Sequence, residues 1–418
     1  MNLKKIKLSS LFIILNTFVL FTSVLFIEEI YKLQFSESEY FKNQALSNRQ
    51  KVEVIEAKRG SILDREFNEV SETINAFNIG IYPEKIDDKK LVSELLAPLL
   101  QLDKAVIFER LNNNKNYFYL KRNIDFETGT KIKNWNYKGI NVEKSSKRII
   151  YSDSLKQIIG HVDPDGNGIE GLELYFDNSL KGTDGELRYE AAPNGDFIPQ
   201  GKSSILDPVH GEDLILSIDS ELQYISENLC SEALKATQAF KCSVVFVNAE
   251  NGEIIISAEK SSTNNKYFNI NLISGRALYE PGSALKIFTV GSLLEKNEVN
   301  ENDTYYVEDK IEIIEESCNK NYEGLKGCFR DFLKHDPYEL TVKEIIERSS
   351  NVGTIKITQN SNVLEIENFL IKFGFGEKTG VELTGETRGG FIDNKRCVTC
   401  LSSLSIGYSV NVSQYQMV

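Results

Sequence analysis

The sequence predicts an α+β protein, tied to a membrane by one N-terminal helix and carrying two domains outside it. Three observations lead there. One long apolar run stands near the N-terminus and nowhere else in the chain. The 418 residues are 41% hydrophobic and 26% charged, enough to fold into two or three globular domains. Beyond the apolar run, β-branched strand patterns alternate with helical ones, and one pair of strands is joined by Asn251-Gly252.

The run from Leu8 to Ile27 is apolar apart from Ser9, Ser10, Asn16, Thr17, Thr22 and Ser23. Twenty residues rising about 1.5 Å each reach about 30 Å, the thickness of a bilayer core. Lys4, Lys5 and Lys7 precede the run, and Glu28 and Glu29 follow it. The positive-inside rule then leaves residues 1–7 in the cytoplasm and everything after Glu28 outside. No small-x-small cleavage site follows, so the segment reads as an uncleaved anchor at residues 8–27.

Lysine and arginine total 48 against 61 acidic residues, a net charge of −13. No basic surplus exists to neutralise phosphates, which excludes a general nucleic-acid binder. The six cysteines form no paired CxxC arrays and only three histidines are present, so neither a zinc site nor any other metal or cofactor is expected. Cys397-Val-Thr-Cys400 lacks a thioredoxin-like setting and reads as small buried thiols or a local disulfide outside the cytoplasm.

Phe35 to Glu56 reads as a polar helix leaving the membrane, and Val92 to Leu102 has helical periodicity. Gly160 to Gly171 reads as turns; its acidic residues lack the spacing of a calcium loop. A boundary falls near Leu206, dividing the external part into residues 28–205 and 206–418. After it come a strand from Asp213 to Asp219 and a helix from Ser220 to Ala239 with Ser220 as N-cap. Ser243 to Asn248 and Glu253 to Ser257 form a hairpin, with Asn251-Gly252 supplying the positive-φ positions.

Tyr279-Glu-Pro-Gly-Ser283-Ala-Leu-Lys286-Ile-Phe-Thr follows the hairpin. Pro281-Gly282 makes a turn, and Ser283 opens a helix with Lys286 three residues on, on the same face. A serine needs a base to attack, and a lysine stripped of water by apolar neighbours loses its proton near neutral pH and serves as one. The bare string is weak, for Ser257/Lys260 and Ser317/Lys320 share it without the turn-then-helix setting. A second string, Ser349-Ser350-Asn351, stands in Glu347-Arg-Ser-Ser-Asn-Val-Gly-Thr-Ile-Lys356.

The extended words, with Phe373-Gly-Phe-Gly376, Thr379-Gly380-Val-Glu-Leu-x-Gly385-Glu386 and Ser405-Ile-Gly-Tyr408, closely resemble class B penicillin-binding proteins in that order. Arg59-Gly60-x-Ile62-x-Asp64-Arg65, Phe118-Tyr-Leu-Lys121-Arg122 and Gly168-Ile-Glu-Gly171-Leu-Glu173 resemble the non-catalytic part of that family, and the Gly160–Gly171 word resembles its division branch. The resemblance implies an elongated α/β pedestal at 28–205 and a transpeptidase domain at 206–418 with an antiparallel sheet between helices. It implies Ser283 as acylated nucleophile, Lys286 as its base, Ser349 as proton relay and Asn351 as holder of the substrate amide. Implied ligands are peptidoglycan stem peptides ending in D-Ala-D-Ala and the β-lactams that mimic them. Implied partners are a septal glycosyltransferase and other single-pass division proteins. The implied place is the inner membrane, with the catalytic domain in the periplasm.

Lys378-Thr379-Gly380 looks like a third catalytic string but lies inside the Phe-Gly-Phe-Gly word, where the family has Thr-Gly without that role. The functional Lys-Ser/Thr-Gly is expected on a later strand, so the transpeptidase domain is expected to be C-terminally incomplete, with a non-catalytic division scaffold as the alternative. Glu66-Phe67-Asn68, Ser152 and Ala284-Leu285 depart from the family pattern without altering the Ser283–Lys286 spacing.

Overall fold

A computed structural model of the chain describes residues 8–192, 197–198, 203–262, 275–319, 326–392 and 397–418. Helix α1 (Leu8–Tyr31) leads through one π turn at Lys32–Ser36 to α2 (Ser38–Arg49) and strand β1 (Gln50–Ile55). Next come β2 (Ile62–Leu63), β3 (Glu69–Ile81), α3 (Lys89–Leu100), α4 (Lys104–Asn113), β4 (Phe118–Asp125), α5 (Phe126–Asn134) and β5 (Ile140–Ile150). Three short helices, α6 (Lys156–Ile159), α7 (Gly171–Tyr175) and α8 (Asp177–Leu180), precede β6 (Gly185–Glu190), β7 (Ser203–Leu206) and β8 (Leu214–Ile215). Then follow α9 (Ser220–Thr237), β9 (Lys241–Val247), β10 (Ile254–Ser261), a 3-10 turn at Gly282–Leu285 and α10 (Lys286–Glu295). The last stretch holds β11 (Thr304–Val307), β12 (Lys310–Glu312), β13 (Cys328–Arg330), β14 (Tyr338–Thr341), α11 (Val342–Glu347), α12 (Asn351–Thr358) and α13 (Val363–Lys372), and ends with β15 (Gly390–Phe391), α14 (Cys400–Ser405), β16 (Val410–Asn411) and α15 (Gln414–Met417).

Two compact units result, Met1–Lys58 with Gly182–Gly211, and Arg59–Lys181 with Glu212–Val418. In the first, α1 runs four residues past the expected Ile27 and is, among the described residues, the one helix long and apolar enough to cross a membrane. Its hydroxyls satisfy themselves within the helix: Thr17, Thr22 and Ser23 donate to the carbonyls of Ile13, Phe18 and Val19. The polar helix expected over Phe35–Glu56 stops at Arg49, and Gln50–Ile55 is a strand instead. Val52, Val54 and Ile55 favour extended backbone, and the strand that fixes them, β6, lies far along the chain, where no local pattern announces it.

In the second unit, thirteen-residue β3 pairs along its whole length, with β5 over Ser71–Ile81, with β4 on its other edge and with β2 at its start. β2 runs parallel to β8. Of the strand expected from Asp213 to Asp219, only Leu214–Ile215 pairs. Phe77, Ile79 and Ile81 pack under the i, i+4, i+8 stripe Val92, Leu96 and Leu100 of α3, with Ile107 and Leu111 of α4. The Gly160–Gly171 word folds as turns: the Asp163 carboxylate accepts from the N–H groups of Asp165 and Asn167 and from the Asn167 amide, each at 2.9 Å.

One buried ionic knot ties this part together. Arg59 donates to both Glu173 (2.7 Å) and Asp177 (2.7 Å), and Arg148 donates to the other Glu173 oxygen at 2.6 Å. Glu173 is fully buried. The Arg59 word is thus a structural lock.

Helix α9 is capped by Asp219, whose carboxylate accepts from the N–H groups of Glu221 and Leu222. This corrects the expectation of Ser220, whose hydroxyl is instead donated to the Asp64 carboxylate at 2.5 Å; a carboxylate satisfies two helix donors where a hydroxyl satisfies one. The hairpin β9–β10 forms as expected, though only Gly252 of its turn has positive φ (+77°). The Gln223 side chain accepts from the Ser257 N–H (2.9 Å) and donates to its carbonyl (3.0 Å), pairing with β10 as a neighbouring strand would. The other strands of this half pair with one another: β11 with β14, β12 with β13, β15 with β16. All six cysteines are joined, Cys230–Cys242 linking α9 to β9, Cys318–Cys328 bracing β13, and Cys397–Cys400 preceding α14.

Candidate active site

The turn before Ser283 is held backbone to backbone. Tyr279 and Val412 exchange hydrogen bonds at 3.0 and 2.9 Å, the Ser409 N–H donates to the Glu280 carboxylate at 3.0 Å, and the Gly282 N–H donates to the Gly407 carbonyl at 3.0 Å. A Cβ on Gly407 would lie 1.8 Å from the Gly282 oxygen, and Gly407 has φ +88°; only glycine fits there. The Ser405-Ile-Gly-Tyr408 word is therefore the floor of the Ser283 turn, and Thr289 fastens it again by donating to the Ser405 carbonyl at 3.0 Å.

Ser283 lies in the 3-10 turn and is exposed. In a 3-10 turn residues i and i+3 eclipse, which puts Lys286 beneath it at the first position of α10, 2% exposed. The Lys286 ammonium donates to the Ser349 carbonyl (2.6 Å), the Ser349 hydroxyl (3.2 Å) and the Asn351 side-chain oxygen (2.6 Å). Three donors meet three acceptors, none of them charged. Burial pushes this amine from the ordinary 10.5 down to about 8, against an upward pull from the Asp331 charge. The structure thus brings Lys286, Ser349 and Asn351 into direct contact; among the described residues no hydrogen bond joins Ser283 to them.

Ser349 sits between α11 and α12 with φ +55°, a backbone state that costs a non-glycine residue about 1 kcal/mol or more and gathers at functional sites. Ser350 is the N-cap of α12, accepting from the Gly353 N–H at 2.8 Å and donating to Asp331 at 2.8 Å. The Asn351 amide nitrogen donates to the Arg330 carbonyl at 2.7 Å, which turns its oxygen toward Lys286. Arg330 and Asp331 are neighbours that the sequence reading missed; they stand about twenty residues before the motif, and no spacing rule connects them to it.

The rival strings have other partners. Ser257 and Lys260 lie three apart on β10, which places them on opposite faces; Ser257 bonds the Tyr415 hydroxyl at 2.7 Å and Lys260 pairs with Glu227. Lys320 lies outside the described residues. The Thr379 N–H (2.7 Å), the Thr379 hydroxyl (2.5 Å) and the Gly380 N–H (3.2 Å) all donate to the buried Glu386 carboxylate, so the Lys378-Thr379-Gly380 string serves a loop. A cavity of about 920 Å3 lies among Leu172, Phe176, Leu214, Ile254 and Leu383, and none of the four predicted site residues lines it.

Two families match by sequence: the penicillin binding protein transpeptidase domain over residues 242–418 and the penicillin-binding protein dimerisation domain over residues 54–216. Peptidoglycan D,D-transpeptidase FtsI of Buchnera aphidicola subsp. Schizaphis graminum is 30% identical over 378 residues, covering 86% of this chain and 63% of the relative. Penicillin-binding protein PbpB of Mycobacterium tuberculosis is 26% identical, covering 96% of this chain and 62% of the relative. The chain therefore spans less than two thirds of the length of these curated relatives. The fold is similar to that of penicillin-binding protein PBP2 from Helicobacter pylori, solved in complex with MreC, with a TM-score of 0.71, 21% identity, and coverage of 88% of this chain and 76% of that one. The two matched domains together span most of the chain, which belongs to the class B penicillin-binding proteins.

Proposed function

We propose that the chain is the membrane-anchored, acyl-enzyme-forming part of a peptidoglycan D,D-transpeptidase of the septum. The observation that carries this is the Lys286 amine, buried without a countercharge in contact and lowered to about 8, at the base of an exposed serine. A lysine in that state is a general base near neutral pH.

In this reading the Ser283 hydroxyl attacks the carbonyl between the two terminal D-alanines of a stem peptide. Its proton passes to Lys286, which turns from Ser349 toward the eclipsed serine. The Ser349 hydroxyl then relays a proton to the departing D-alanine nitrogen as the C–N bond breaks. Asn351 keeps one amide N–H on the Arg330 carbonyl and has a second for the carbonyl of the substrate's peptide bond. The amine of a neighbouring stem attacks the Ser283 ester, restores the hydroxyl and completes the cross-link. A β-lactam enters the same first step and stays, because its leaving nitrogen remains tethered.

The apolar helix and the lysines before it support an anchor with residues 1–7 in the cytoplasm and the catalytic part in the periplasm, facing the wall. Three disulfides fit an oxidising compartment. The FtsI name of the Buchnera relative supports a septal role, with a septal glycosyltransferase and single-pass division proteins as partners.

The test is a fluorescent penicillin on membranes carrying this 418-residue chain, beside Ser283→Ala. The expected result is a labelled band that disappears in the variant, with the adduct mapped to Ser283. An unlabelled wild type, or an adduct on another residue, overturns the reading.

A further inference from the structure

The catalytic cluster is held from outside its own motifs. β13 ends at Arg330, whose carbonyl takes the Asn351 amide. The next residue, Asp331, is half-buried, with 8% of its side chain exposed, and its carboxylate makes three contacts. One carboxylate oxygen accepts from the Ser350 hydroxyl (2.8 Å) and meets His335 Nε2 (3.1 Å); the other accepts from the Val352 N–H at 2.9 Å. All but the histidine lie in the first turn of α12, where a negative charge also meets the positive end of the helix dipole. Between that turn and α11 lies Ser349 in its left-handed backbone state, and on its other side is Lys286.

We propose that Asp331 is a positioning residue for the Lys286–Ser349–Asn351 cluster, pinning the first turn of α12 so that Ser349 and Asn351 meet the lysine, and supplying a negative charge that acts on that lysine's ammonium. The proposal rests on the transpeptidase reading for its purpose, though not for its measurement. The carboxylate has two effects of opposite sense. Its hydrogen bonds assemble the acceptors that hold Lys286. Its charge favours the ammonium over the free amine and so restrains the base. His335, stacked on Tyr338 and bonded to Asp331, is the titratable group beside the carboxylate, and Asp309 is the further acid near that histidine.

The test is the titration of Lys286 itself, in the full chain in detergent, by competitive labelling with a small amine-reactive reagent across pH 6–11 and mass-spectrometric readout. Asp331→Asn keeps the shape and removes the charge. Its Lys286 should titrate roughly half a unit to one unit lower than wild type, about a three- to tenfold change in the proton equilibrium. Asp331→Glu restores the charge and should titrate as wild type. A merely structural role would leave the two variants alike. Hydrogen exchange at the Val352 amide, expected to quicken on the order of tenfold in Asp331→Ala, reads the pinning separately from the charge. An unchanged Lys286 titration in Asp331→Asn, or Asp331→Glu following Asp331→Asn, overturns the proposal. Absence of penicillin labelling at Ser283 would instead overturn the transpeptidase reading and leave these measurements interpretable.

Discussion

Two charged side chains are buried in the same unit of this protein, and they are kept in opposite ways. Glu173 is enclosed by the guanidiniums of Arg59 and Arg148, with every contact charge against charge. Lys286 is enclosed by two oxygens of Ser349 and one of Asn351, all neutral. Both environments strip water away. Only the first replaces it with countercharge. The difference separates the two sites: a charge buried with countercharge is compensated where it stands, while burial among dipoles pushes the Lys286 amine down and makes it easier to deprotonate.

The comparison can be broken at its active end first. Lys286→Ala should lower the rate of penicillin acylation on the order of 10²–10⁴-fold, the range of general-base effects, and leave the melting temperature the same or raised, since a buried ammonium without a contacting carboxylate is removed. A large fall in melting temperature would mean that Lys286 is structural like Glu173. At the locked end, Glu173→Ala leaves the buried Arg148 without its contacting anion and Arg59 with Asp177 alone. The loss should be about 3–5 kcal/mol of unfolding free energy, read by denaturant unfolding of the soluble portion. A loss under about 1 kcal/mol would make the knot no tighter than a surface pair. The smallest effect sharpens the contrast. In the proposed role Lys286 acts as base in its neutral form, and burial pushes its amine down to about 8. Acylation should therefore rise as pH is raised from 7 to 9, about tenfold in all, and level off above; a profile flat across that window would assign the base elsewhere.

Much of this was legible in the sequence, for reasons that differ by element. The Ser283–Lys286 turn and helix were readable because proline, glycine and spacing act within a few residues, and the β9–β10 hairpin because its turn chemistry is local. The Lys378-Thr379-Gly380 string is held by Glu386, a partner that its own spacing does not announce. The strand at Gln50–Ile55 was not readable, since its partner is β6, and its own charged residues look helical. Hydroxyls commonly cap helices, which favours Ser220 from sequence; the adjacent Asp219 takes the place by reaching two amides. Arg330, Asp331 and His335 carry no motif at all. They matter through one loop folding back on α12, which no periodicity or spacing records.

The glycine contact beneath the Ser283 turn has a consequence in time. Gly282 and Gly407 touch through their backbones although about 125 residues separate them along the chain. Closing so long a loop costs about 4 kcal/mol of chain entropy, and the contact cannot form before the second glycine has been synthesised. Until then a growing chain carries Ser283 in an unsupported turn. Any chemistry that depends on that turn therefore follows the synthesis of Gly407 rather than that of Ser283.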